Sequence, residues 1–132
     1  MFDLSKFFTR GLRNTVLAKP GIYFSFKGPW TQIFSGQPID RWHVGDFSAA
    51  EYTIVVDADP NNREIIKCLV VASPNDASVV TYGRIATIDN LVNVSAQVNG
   101  SYVEVVLSVK DDLHGGCKAS FSASYYETQN PI

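Results

Sequence analysis

Residues 91–109 read LVNVSAQVNGSYVEVVLSV, from Leu91 to Val109. Two alternating strands flank Asn99-Gly100. Asn-Gly is a preferred pair for a type I′ turn, in which both central residues have φ > 0. A two-residue loop at that pair predicts a register: Val98 faces Ser101, Ala96 faces Val103, Val94 faces Val105 and Val92 faces Leu107. Three of the four pairs are apolar on both sides, so one face of this hairpin is core.

The same pattern extends on both sides. Tyr52, Ile54 and Val56 alternate with Thr53, Val55 and Asp57, and Asp59-Pro60-Asn61-Asn62 is a dense turn signal. Glu64 to Ala72 is apolar on both faces, as a central strand covered on both sides would be. Ser73-Pro74-Asn75-Asp76 is a second turn, and Ala77 to Arg84 is rich in Val. Asp111-Asp112 and Gly115-Gly116 bracket a loop. The last strand runs from Cys117 to about Thr128, with Cys117, Ala119, Phe121, Ala123 and Tyr125 inward and Lys118, Ser120, Ser122 and Ser124 outward. Turn clusters at about ten-residue spacing predict an all-β fold: an antiparallel β-sandwich of about 6–8 strands. A strand between Gly21 and Trp42 would complete it.

The N-terminal part differs in composition. Of the 16 aromatic residues, ten lie in the first 50 positions. Residues 1–50 carry six basic groups against three acidic, net +3, and residues 51–132 five against ten, net −5. Lys19-Pro20-Gly21, Gly28-Pro29-Trp30 and Gly36-Gln37-Pro38 interrupt any regular sheet. Leu4, Phe7, Phe8 and Leu12 share one face of a short helix over 4–17. Rings in such number bury large areas and dominate interface energetics. The expected organisation is therefore an N-terminal anchoring arm over 1–44, which packs on another chain, and a sandwich body over 45–132. Phe7, Phe8, Phe24, Phe26, Trp30, Phe34 and Trp42 are the expected interface rings.

The chain is 132 residues long with 45% apolar and 18% charged residues, enough for one globular domain. No apolar run spans a membrane and the first residues do not read as a secretory signal, so no membrane partner is expected. Cys68 and Cys117 match no redox or zinc spacing and read as buried free thiols. His43 and His114 lie far apart with no ligand spacing around them, and suit surface or capping roles. Asp57, Asp59, Asp111 and Asp112 fall in two strand-end loops. Aspartate is a good turn residue, and the EF-hand spacing for calcium is absent. There is no Gly-x-Ser-x-Gly, no phosphate loop and no paired carboxylates. No catalytic residue, metal or cofactor is expected. A basic excess of three charges is too small for useful nucleic-acid affinity. The glycosylation triplets at Asn93 and Asn99 lie in a strand and a tight turn and are chance matches.

The runs Gly45–Ile54, Glu64–Lys67, Ala72–Asn75, Tyr82–Arg84 and Ser122–Thr128 carry a likeness. They resemble a recurrent β-domain in virion structural proteins of contractile-tailed marine cyanophages. The likeness covers about residues 21–132 and touches Thr9–Leu12. It implies a virion component without saying which part; the expected role is a non-enzymatic structural protein, placed first in the tail or baseplate. A capsid decoration protein, or a receptor- or glycan-binding module of a fibre with Tyr102 beside Asn99, are the alternatives. It further implies assembly in the host cytoplasm, other virion proteins as partners and a homo-oligomer or symmetric array. It transfers no functional residues.

Overall fold

The structure is a computed structural model that describes residues 23–27, 30–110 and 116–129. The predicted helix over 4–17, with Phe7 and Phe8, lies outside the described residues, as do Asp111, Asp112 and His114.

Nine strands form among the described residues: β1 (Tyr23–Lys27), β2 (Thr31–Ile33), β3 (Gln37–His43), β4 (Phe47–Asp59), β5 (Asn62–Ser73), β6 (Asp76–Ala86), β7 (Val92–Asn99), β8 (Tyr102–Val109) and β9 (Cys117–Glu127). The larger sheet runs β1-β9-β4-β5-β6, and β2 continues the β1 edge by pairing with the start of β9. The smaller sheet runs β3-β8-β7. All pairings are antiparallel. The all-β sandwich expected from the turn spacing is therefore the observed fold.

Alternation builds the core. On β4, Ala50, Tyr52, Ile54 and Val56 are buried, and on β9 Cys117, Ala119, Phe121, Ala123 and Tyr125 are buried. Phe47 is buried as well, three positions before Ala50. A bulge between Phe47 and Ala49 inserts the residue that makes this spacing possible. A second bulge, between Pro38 and Asp40, lets consecutive Ile39 and Asp40 both be buried. Pro38 is tolerated because β3 is an edge strand.

Three expectations need correction. The hairpin pairs Asn99 with Tyr102 and Val98 with Val103, so the two-residue loop is Gly100-Ser101 rather than Asn99-Gly100. Gly100 has φ 66°, and no described non-glycine residue has positive φ. Positive φ at the first central position alone is the type II′ pattern, with glycine there. The register moves by two, so every side chain keeps its face. Secondly, the body does not start at residue 45. Strands β2 and β3 belong to the two sheets, and Ile33, Ile39 and Trp42 are core residues. The prolines and glycines of that region break the edge into short strands without removing it from the sandwich. Thirdly, β5 is covered on one side only. Ile66, Cys68 and Val70 are buried, whereas Ile65, Leu69 and Val71 are 42%, 44% and 58% exposed. The smaller sheet covers the first set, and no described strand lies over the second.

Candidate docking surface

The outer face of the larger sheet follows from register. Tyr126, Ala49, Val71 and Ser78 form one row across β9, β4, β5 and β6. Ser124, Glu51, Leu69 and Val80 form the next, then Ser122, Thr53, Lys67 and Gly83, then Ser120, Val55, Ile65 and Ile85. The β9 column is mostly serine and the β5 and β6 columns are mostly apolar. Val80, Ile85 and Tyr126 are 55%, 75% and 41% exposed. Ala49, Leu69, Val71, Val80 and Tyr126 line an open apolar depression of about 430 Å³. Tyr82, the extra residue of a bulge opposite Lys67 and Cys68, donates its hydroxyl to Glu51 Oε2 at 3.2 Å.

The expected interface rings fall in different places. Trp30 is 54% exposed and borders, with Thr53, Val55, Ser120 and Ser122, a second depression of about 210 Å³ on the same outer face. Phe34 is 66% exposed, on the turn between β2 and β3 near Gly116. Phe24 and Phe26 lie on β1, in register with Tyr125 and Ala123. Trp42 is a correction: it is 1% exposed, packs edge-on against Phe47 and Tyr125, and is not available to a neighbour. Its face of β3 points to the core because strict alternation continues from Asp40.

Beneath Trp42 lies a polar group that no sequence pattern signalled. Asp40 is fully buried, and its Oδ2 accepts hydrogen bonds from the hydroxyls of Tyr52 at 2.7 Å and Tyr125 at 2.6 Å. The Tyr52 hydroxyl in turn accepts from Trp42 Nε1 at 2.9 Å, and Asp40 Oδ1 accepts from the Arg41 amide at 2.9 Å. The group ties β3 of one sheet to β4 and β9 of the other. At the opposite corner, buried Glu64 holds Arg84 through Oε2 and accepts from the Leu91 amide at 2.8 Å. Arg84 Nη2 also donates to the Val92 carbonyl at 2.7 Å, so this pair fixes the passage from β6 into β7. Both clusters are structural: the Asp40 group is enclosed, and Glu64 is buried beneath a partly exposed Arg84.

The remaining candidates have local employment. His43 Nδ1 accepts from the Gly45 amide at 2.9 Å, which is the capping role expected of it. Asp57 lies 3.6 Å from Arg63, and Asp59 accepts from the Asn61 amide and the Asn62 side chain. No group of three metal-ligating side chains occurs among the described residues. The Tyr102 ring has the Arg41 guanidinium 3.9 Å over its centroid and His43 against its edge.

Cys68 and Cys117 are buried free thiols. Burial pushes both up to about 11 from 9.0, with Glu64 adding to the effect at Cys117. Burial, then Asp40, holds the Tyr52 hydroxyl well above its ordinary 10.0, and burial, then Tyr52 and Asp40, does so for Tyr125. In each case the folded value is raised, so the unfolded chain loses its proton first. The contribution of these groups to stability is expected to be constant below about pH 9 and to fall between pH 9 and 11. Thermal melts from pH 7 to 11 check this. A constant melting temperature to pH 10.5, or thiols that react without denaturant, would contradict it.

No protein-family model matches the chain, and no curated protein does. Among solved structures the chain is similar to the tailspike protein of an Acinetobacter phage. The TM-score is 0.44 and the identity 13%, over 82% of this chain and 21% of that one.

Proposed function

We propose that the chain is a non-enzymatic structural component of a bacteriophage virion, in the tail or baseplate, held by contacts with neighbouring subunits. The observation that carries this reading is the outer face of the larger sheet. An apolar sheet face rimmed by serine and charge, with Trp30 at its border, is what a subunit buries on assembly. The sequence resemblance to virion β-domains supports the setting. The leading residues 1–22, with Phe2, Leu4, Phe7 and Phe8 among Lys6, Arg10, Arg13 and Lys19, suit an anchor on an acidic neighbour. Purified particles of the encoding phage are expected to contain the chain. A variant lacking residues 1–22 is expected to fold and to be left out of them. A chain found only outside the particles, or incorporated equally well without those residues, contradicts the proposal.

A further inference from the structure

We propose that the outer face of β4, β5 and β6 is the contact surface for a second copy of this chain, packed face to face about a two-fold axis. The inference rests on the structural reading above and names one partner and one surface for it.

Size is the first reason. Ile65, Leu69, Val71, Val80, Ile85 and Tyr126 are between 41% and 75% exposed. With Tyr82 they present on the order of 700 Å² in one area, close to what one partner contributes to an interface of standard size. Monomers rarely leave a contiguous apolar patch of that extent to water.

Charge is the second reason, and it selects the occupant. The patch contains one cation, Lys67, set between Leu69 and Ile65 along β5, and one anion, Glu51, beside Leu69 on β4. Neither forms an ion pair with a described residue; Glu51 accepts only the Tyr82 hydroxyl among the bonds seen here. A two-fold contact places residue i against j and j against i. Strands lie about 4.8 Å apart and same-face residues about 6.8 Å apart along a strand. On that grid, an axis midway between Glu51 and Lys67 sets each Lys67 against the partner's Glu51. The same axis lays Ile85 over the partner's Tyr126 and keeps Leu69 and Val80 near the centre. Two symmetry-related Lys67–Glu51 pairs then form, and Leu69 and Val80 meet their own copies across the axis. The strands of the two sheets cross steeply, within the orthogonal class of sheet packing.

Sedimentation of the full chain over roughly 1–100 µM tests the inference. A dimer is expected. Leu69→Glu combined with Val80→Glu should raise its dissociation constant roughly 100-fold or more while leaving the circular dichroism unchanged. Lys67→Glu should weaken it, and adding Glu51→Lys should restore it; this exchange keeps the test decisive if the first variant does not fold. A monomer at the highest concentration, or a dimer indifferent to these changes, overturns the inference. A monomer that still enters particles leaves the virion reading intact. A dimer absent from particles ends that reading and leaves this surface standing.

Discussion

Deleting residues 1–44 should leave a chain that does not fold. The deletion removes β1 and β2 from the edge of β9 and β3 from the edge of β8. It takes Ile33, Ile39 and Trp42 out of the core, each no more than 2% exposed. It also takes Asp40 away from two buried tyrosine hydroxyls. Truncating one buried tryptophan costs about 3–5 kcal/mol, and each buried isoleucine about 2–5 kcal/mol. Together they approach or exceed the whole stability of an ordinary domain, about 5–15 kcal/mol. Residues 45–132 should therefore show no cooperative melt and weak near-ultraviolet circular dichroism. Residues 23–132 keep all nine strands and should melt as one unit. A cooperative transition in 45–132 would show that β3 is dispensable and that the body does begin at residue 45.

Asp40→Ala should be among the most damaging single substitutions in the chain. The carboxylate is the acceptor for the Tyr52 and Tyr125 hydroxyls and for the Arg41 amide. Alanine leaves both hydroxyls, in a fully buried site, without that acceptor, and desolvated donors without partners cost about 1–3 kcal/mol each. For the two hydroxyls together that is about 2–6 kcal/mol. Chemical denaturation should show a loss of that size. Asp40→Asn retains one oxygen acceptor and should lose less. Tyr52→Phe made in the Asp40→Ala background should cost less than in the native chain, because the two groups act through one hydrogen bond. A loss under 1 kcal/mol for Asp40→Ala, or strictly additive losses, would show that the three rings hold the sheets together without the carboxylate.

Strand positions were legible because alternation and turn chemistry agree in this chain. Tyr52-Ile54-Val56 and Cys117 through Tyr125 bury the side chains that period 2 selects. Positions that depend on an inserted residue were not legible. The Pro38/Asp40 and Phe47/Ala49 bulges break the period where Asp40 and Phe47 enter the core. Asp40 carried no signal, because an aspartate next to proline-rich turns reads as a surface residue until β3 is seen to be paired. The loop of the hairpin slid by one position because Gly100 takes a positive φ in either turn type; the pairing of Asn99 with Tyr102 and the lack of positive φ at any described non-glycine residue distinguish them. The docking face was half visible. Glu64 to Ala72 announced a strand apolar on both faces, and the sheet provides a cover for only one of them. The second apolar face is the feature on which the functional reading depends. Trp42 misled for the converse reason: composition grouped it with the exposed rings Trp30 and Phe34, while register assigns it to the core.

The most direct measurement is a density map of the intact particle of the encoding phage. Density for the sandwich is expected in the tail region, with the Leu69–Val80 face and the leading residues buried against other subunits. A particle without this fold, or one in which that face is left in solvent and the leading residues return to their own sandwich, contradicts it.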